Sequence, residues 1–105
     1  MITWLHDKLS LRFGKYESGF ISLQLFDLDN HPYMTASFNP YDVNRKHDPN
    51  GQNLIAIKNW SENEGIEDKL LDAKIIKSEN LINTIKQGFV SARIYKIESE
   101  VIHDN

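Results

Sequence analysis

Three histidine–aspartate pairs are the residues best suited to acid–base chemistry in this chain of 105 residues. They are His6-Asp7, His47-Asp48 and His103-Asp104. A histidine exchanges protons near neutral pH, and a carboxylate can orient its ring. Neighbouring residues on a strand point to opposite faces, however, so adjacency in sequence does not make a catalytic dyad. Because the pairs fall near a terminus or in a loop, we interpret them as solvated surface groups, and the sequence predicts no catalytic residue.

The sequence also predicts no metal site and no cofactor. Asp27, Asp29 and Asn30 have the spacing of the first ligands of a calcium-binding loop. Such a loop requires Gly at its sixth position and Glu at its twelfth, and here those positions hold Pro32 and Phe38. We therefore interpret this segment as a turn. The chain has no cysteine, which excludes a disulfide framework and a thiolate-bound metal.

One stretch, residues 62–74, has the pattern of an amphipathic helix. Ile66, Leu70 and Ala73 recur at i, i+4 and i+7, which predicts one apolar stripe. Ser61 and Glu64 have the spacing of a capping box, which predicts that the helix begins here. The opposite face is acidic, and carboxylates in the first turns interact favourably with the helix dipole. The acidic residues are Glu62, Glu64, Glu67, Asp68 and Asp72.

The rest of the chain is dominated by strand periodicity. Alternating apolar and polar residues predict strands at 9–14, 20–28, 34–38 and 89–97, and a short apolar run predicts a fifth strand at 54–57. Within 78–87, by contrast, Leu81, Ile82 and Ile85 have near-helical spacing and predict one or two helical turns. The predicted fold class is α+β: a single antiparallel, strongly curved sheet of about five strands, with one main amphipathic helix (62–74) packed on it. A long polar loop is expected at 39–53, and residues 98–105 are expected to fray.

Length and composition define the broad class of the protein. With 105 residues, of which 40% are hydrophobic, the chain has room for one domain, 1–105, with one core. Twelve basic against fifteen acidic residues give a net charge of −3, which argues against a general nucleic-acid binder because such proteins carry a basic footprint. The start of the chain lacks an apolar signal segment, and no apolar run is long enough to cross a membrane, so we expect a cytoplasmic protein.

Two further features are candidates for binding a protein partner. The polar loop contains Tyr41, Arg45 and Lys46, and aromatic residues and arginine are enriched at protein interfaces. Trp60 directly precedes the predicted capping box; there it would either pack on the sheet or, if exposed, anchor a partner. Together with the acidic residues of the helix, these form the predicted partner-binding set. The alternative for the acidic face is an ordinary solvated helix surface, and for the loop a mobile excursion.

Several short motifs occur in order along the chain: LRFGKY (11–16) followed by ISLQL (21–25), PYMTAS (32–37), KNWSENEG (58–65) and GFV (88–90). Together they resemble a family of small domains of unknown function that phages, plasmids and conjugative elements carry. The family usually has Tyr where this chain has Trp60, followed by Ser-Glu-Asn-Glu-Gly and a short helix. The resemblance covers about residues 9–97 and leaves out the loop 39–53. Its motifs are structural, so it implies a fold and a genetic context but no catalytic residue.

The genetic context implied by this resemblance leads to a functional hypothesis. Small acidic, non-enzymatic proteins of mobile elements resemble inhibitors of host defence, including anti-CRISPR proteins. We therefore expect a non-enzymatic protein-binding module that acts in the cytoplasm of a bacterial host, on a defence nuclease or its guide-RNA complex. The alternative is an accessory module that binds single-stranded nucleic acid directly through a sheet face. The residues for that alternative are Arg12, Lys15, Tyr16, Arg93 and Tyr95.

Overall fold

The structure is a computed structural model and describes residues 1–40 and 52–105. These residues form eight strands, β1 Ile2–Trp4, β2 Asp7–Lys15, β3 Ile21–Phe26, β4 Pro32–Thr35, β5 Ser37–Phe38, β6 Leu54–Ile57, β7 Leu81–Gln87 and β8 Val90–Lys96. They also form two α-helices, α1 Ile66–Asp72 and α2 Ser99–His103, and two 3-10 turns, Ser61–Asn63 and Ser78–Asn80. The α+β class is thus confirmed, with α1 as the main helix.

The strands form two antiparallel four-stranded sheets, in the orders β1-β2-β3-β4 and β5-β6-β8-β7. The prediction of one curved sheet of about five strands is therefore wrong. The sheets meet at Ala36, the single residue between β4 and β5. The Ala36 N–H donates to the carbonyl oxygen of Leu23 (2.9 Å), and the Ala36 carbonyl accepts the N–H of Lys58 (2.9 Å). The chain thus passes from β4 in the first sheet to β5 in the second sheet through a single residue.

The main core lies where the inner faces of the two sheets meet α1. In β2, Leu9 and Leu11 point inward and Arg12 outward, as their alternation predicts. On the second sheet, Ile55 of β6 lies opposite Tyr95 of β8, and both are buried. Residues from both sheets and the helix form one cluster with these, including Leu23, Leu25, Ile57, Ile66, Leu70 and Ile97. The other face of the second sheet packs in a smaller cluster of Phe20, Leu54, Ala56 and Ile94.

The segment 78–87 is a strand over most of its length. A 3-10 turn at Ser78–Asn80 leads into β7, so the helical turns predicted from Leu81, Ile82 and Ile85 are wrong beyond that turn. Gly88 and Phe89 form a two-residue loop that returns the chain alongside β7 as β8, with Gln87 opposite Val90. Gly88 has a φ of +63°, whereas Phe89 is not in the positive-φ region, which is the pattern of a type II′ turn.

The main helix is shorter than predicted and begins differently. Ser61–Asn63 form a 3-10 turn, and α1 begins only at Ile66, after Gly65 takes a φ of +94°. The predicted capping box is wrong: it is the backbone carbonyl of Ser61 that accepts the Glu64 N–H (3.2 Å). The cap comes instead from Asn59, whose Oδ1 accepts the N–H groups of Gly65 (3.1 Å) and Glu67 (2.9 Å). A side chain that precedes the 3-10 turn thus satisfies helix donors that would otherwise lack partners.

The carboxyl end of α1 is closed by two backbone hydrogen bonds of the Schellman type. The Ile75 N–H donates to the Leu70 carbonyl (2.9 Å), and the Lys74 N–H donates to the Leu71 carbonyl (3.0 Å). This geometry requires a left-handed residue after the helix, and Lys74 occupies that position with a φ of +60°. Glycine is the usual residue there, so no local signal in the sequence marked the end of the helix at Asp72.

The carboxyl-terminal segment, which the sequence predicted to fray, contains the short helix α2. Val101 and Ile102 are half-buried and pack against the main core. Asn53 Nδ2 also donates to the hydroxyl of Ser99 (3.2 Å). The two apolar residues of the tail therefore have a packing role.

Candidate functional site

Glu67 on α1 is the one charged residue that is buried in the described part of the chain. Only 4% of this residue is exposed. Its Oε1 accepts a hydrogen bond from Arg93 Nη1 (2.9 Å), and its Oε2 accepts a short one from the Tyr95 hydroxyl. Arg93 and Tyr95 lie on the same face of β8, two residues apart. The three side chains therefore fix the first turn of α1 on the second sheet.

The electrostatics of this cluster follow from its geometry. The hydrogen bond and negative charge of Glu67 raise the pKa of Arg93. Burial raises the pKa of the Tyr95 phenol, and the Glu67 carboxylate raises it further. Both donors are thus protonated at neutral pH and remain bound to the carboxylate. The sequence predicted Glu67 as part of a partner-binding face, but the structure turns its side chain inward.

The other predicted acidic residues are exposed. Glu62 pairs with Lys58 Nζ (2.8 Å), and this contact lowers the pKa of Glu62. Glu64, Asp68 and Asp72 make no side-chain hydrogen bond or ion pair within the described residues. We call these four exposed carboxylates, Glu62, Glu64, Asp68 and Asp72, the acidic surface.

Trp60 is half-buried. Its ring meets the ring of Phe38 edge to face, with 5.2 Å between centroids and an interplanar angle of 66°. Trp60 therefore packs on β5, the first of the two roles weighed for it. The predicted loop residues Tyr41, Arg45 and Lys46, like the pair His47-Asp48, lie outside the described residues.

The five residues proposed for the nucleic-acid alternative do not share one surface. Arg12 is exposed on the first sheet and stacks on Phe26, with its guanidinium carbon 3.8 Å from the ring centroid. On the second sheet Tyr95 is buried, so its ring cannot stack on a base.

Tyr16 and Lys15 of that set lie at separate places on the fold. Tyr16 is half-buried, and its hydroxyl lies 3.1 Å from Ser37 Oγ. Lys15 is exposed and lines a groove of about 310 Å³ with Phe13 and His103. No carboxylate lies among the described residues that line this groove.

The histidine–aspartate pairs in the described part of the chain do not form dyads. Asp7 Oδ2 accepts the Tyr33 hydroxyl (3.0 Å), which raises the pKa of Tyr33. A different grouping, Asp27, Asp29 and His31, brings three ligand atoms within 4.8 Å of one another on the surface. Asp27 Oδ1 accepts the N–H groups of Asp29 (2.9 Å) and His31 (2.8 Å), bonds that lower the pKa of Asp27. These hydrogen bonds hold the turn between β3 and β4, and the turn accounts for the closeness of the three side chains.

No protein-family model, no curated protein and no solved structure matches this chain. The resemblance to domains of mobile elements therefore stays a prediction. No helix in the described ranges is both long and apolar enough to cross a membrane.

Proposed function

We propose that this protein is a non-enzymatic module that binds a positively charged protein partner through the acidic surface. The observation that carries the proposal is the difference between Glu67 and its neighbours. Glu67 is buried and bound to Arg93, whereas Asp68 and Asp72 are exposed without a hydrogen bond or ion pair in the described chain. One carboxylate thus fixes the helix, and the others are available to a partner.

Preorganisation supports a binding role for this surface. The N-terminal end of α1 is held by Asn59 and by the Glu67 cluster, and its C-terminal end by the backbone bonds of Lys74 and Ile75. A surface that is rigid before association loses less conformational entropy when it binds. Exposed charges at an interface mainly accelerate association and select partners of opposite sign. A cationic groove that normally holds nucleic-acid phosphates would be complementary to such a surface.

The finer version of the proposal rests on the resemblance to domains of mobile elements. In that version the protein is an inhibitor of a host defence system, anti-CRISPR-like in its mode of action, and the partner is a nuclease or its guide-RNA complex. The nucleic-acid channel of such a nuclease is positively charged because it holds a phosphate backbone. Carboxylates at the mouth of that channel would compete with nucleic acid for the same cations.

Co-expression with a panel of bacterial defence nucleases, followed by affinity capture of the protein, tests the proposal. We expect one nuclease to be retained by the wild-type chain and lost from the double variant Asp68→Lys, Asp72→Lys. The matched control is Glu17→Lys, Asp104→Lys, which reverses two exposed charges elsewhere and should retain the nuclease. Capture of no nuclease, or equal capture by both variants, contradicts the proposal.

A mobility-shift titration of the protein alone with single-stranded RNA and DNA separates the proposal from its alternative. Binding that weakens steeply as salt rises would favour direct contact with nucleic acid. We expect no shift.

A further inference from the structure

The groove that Lys15 lines has a function that the acidic surface does not explain. It has a volume of about 310 Å³ and lies where the β2–β3 hairpin meets α2. Its lining is largely apolar: Ile21 is buried, and Phe13 and Ile102 are half-buried. Small-molecule sites are mostly apolar clefts of roughly 300–1,000 Å³ with a few polar groups, so this groove is large enough for a small ligand.

The strand β2 places a lysine on its core-facing side. Lys15 follows Leu9, Leu11 and Phe13 at intervals of two residues, so it lies on the same face of the strand as these apolar residues. Lys15 is also directly opposite the buried Ile21 in an unbroken stretch of the β2–β3 ladder. A lysine stem packs along apolar surface while its ammonium group stays in water. Lys15 therefore brings a cation to the rim of an apolar groove.

The helix α2 forms the opposite wall and adds hydrogen-bond donors. Ser99, Ile102 and His103 have the spacing i, i+3 and i+4, which places them on one face of the helix. Ser99 Oγ accepts a hydrogen bond from Asn53 Nδ2 (3.2 Å), so its own hydroxyl proton can be donated to a ligand. The His103 ring has an N–H donor in either protonation state.

The charge of the groove is not balanced by the described part of the chain. Neither Lys15 nor His103 forms an ion pair with a described carboxylate, and no described acid lines the groove. An ionised carboxylate only accepts hydrogen bonds, which matches a set of donors. Its bonds to an ammonium group are also stronger than those between neutral groups.

We propose that this groove binds a small amphipathic monocarboxylate. The Lys15 ammonium group binds the carboxylate, Ser99 and His103 are further donors, and the apolar body packs on Ile21 and Ile102. At about 30 Å³ for each water-sized group, 310 Å³ holds a ligand of about ten non-hydrogen atoms. Octanoate is a ligand of this size. No residue of the acidic surface lines the groove, so the inference does not depend on the proposed function.

Titration of the full chain with octanoate, followed in amide NMR spectra, tests the site. We expect saturable shifts of the amides of Lys15, Ile21 and Ile102, with a dissociation constant below about 1 mM. Octanol lacks the charge and acetate lacks the apolar body, so each should bind at least about tenfold more weakly than octanoate.

Substitutions of Lys15 test the role of its charge. Lys15→Glu should weaken the binding of octanoate at least about tenfold, and this effect should decrease as salt rises, whereas Lys15→Arg should retain binding. Lys8→Glu is the matched control, because Lys8 is exposed on the same strand and lies outside the groove. It should leave the affinity for octanoate unchanged.

A second pair of variants tests the apolar contact. Ile102 and Val101 are both half-buried and both pack against the main core, but of the two only Ile102 lines the groove. Ile102→Ala should weaken the binding of octanoate at least about fivefold because apolar contact area is lost, and Val101→Ala should not change it. The same NMR spectra show whether both variants are folded, and the variants of Lys15, an exposed residue, test the site independently.

Three results would overturn the inference. The first is the absence of shifts at the groove amides with octanoate up to about 10 mM. The second is equal affinity of Lys15→Glu and Lys8→Glu for octanoate. The third is octanol binding as tightly as octanoate. None of these results bears on capture of a nuclease by the acidic surface, so the two proposals fail separately.

Discussion

Removing Arg93 should destabilise the protein because it leaves the buried Glu67 carboxylate without its cation. Truncating one partner of a buried ion pair costs about 3–5 kcal/mol. Here the Tyr95 hydroxyl still donates to Glu67, and the Arg93 side chain is 53% exposed, so we expect a smaller cost. Arg93→Ala should lower the free energy of unfolding by about 2–3 kcal/mol.

A second substitution shows whether the uncompensated charge causes this loss. Glu67→Gln keeps the shape of the side chain and an oxygen for Tyr95, and it releases Arg93 to solvent, so it should cost about 1 kcal/mol. In the Glu67→Gln background, Arg93→Ala leaves no buried charge. The double variant should therefore be more stable than Arg93→Ala alone, by about 1 kcal/mol or more.

Urea denaturation followed by circular dichroism at neutral pH measures all four chains of this cycle. Arg12→Ala is the matched control, since Arg12 stacks on Phe26 and has no ion pair with a described carboxylate. Its cost should be the same with Glu or Gln at position 67. Equal costs of Arg93→Ala in the two backgrounds would refute the argument that Arg93 neutralises a buried charge.

Three further predictions concern the ends of α1 and its contact with β8. Asn59→Ala should lower the free energy of unfolding by about 2 kcal/mol because two helix N–H groups lose their acceptor, whereas Ser61→Ala should change it by under about 0.5 kcal/mol, both measured by urea denaturation. Lys74→Gly should raise the free energy of unfolding by about 1 kcal/mol in the same measurement, because Lys74 has a φ of +60°. Ala73 has a φ of −83°, so Ala73→Gly should lower the free energy of unfolding. The pKa of Tyr95 is raised in the folded state, so its phenol contributes to the free energy of unfolding below about pH 10, and this contribution is lost as the pH rises further. Above about pH 10, the free energy of unfolding of Tyr95→Phe should therefore fall less steeply with pH than that of wild type.

Each of these predictions has an outcome that contradicts it. Equal losses from Asn59→Ala and Ser61→Ala would contradict the assignment of the cap. A lower stability after Lys74→Gly would show that the left-handed backbone at this position is not strained. Parallel alkaline stability curves for wild type and Tyr95→Phe would show that the phenol does not contribute to the pH dependence.

The alternation of apolar and polar residues was sufficient to predict most strands, including β2, β3 and β8. The alternation did not predict that the strands divide into two sheets. The break at Ala36 has no glycine or proline to mark it, and it depends on a hydrogen bond that Ala36 donates to Leu23 and one that it accepts from Lys58, both distant in sequence. For β7, Leu81, Ile82 and Ile85 fit helical spacing as well as a strand, and pairing with β8 decided between them.

The acidic residues of α1 show what sequence alone cannot separate. Glu67 and Asp68 are adjacent acids in the first turn, and local rules place both favourably near the helix dipole. Only the position of Arg93 and Tyr95, more than twenty residues later, makes one of them a buried structural group. Asn59 was similarly missed as the cap because the spacing of Ser61 and Glu64 matched a familiar local motif.

Binding of a nuclease to the exposed carboxylates of α1 is the central claim, and it can be measured directly. Biolayer interferometry of the immobilised protein against a purified RNA-guided nuclease, with its guide RNA bound, gives the dissociation constant and its dependence on charge. We expect a dissociation constant below about 1 µM for wild type, weakened at least about tenfold by Asp68→Lys, Asp72→Lys and unchanged by Glu17→Lys, Asp104→Lys. No binding across a panel of such nucleases, or equal binding by the two charge-reversed variants, would contradict the proposed role of the acidic surface.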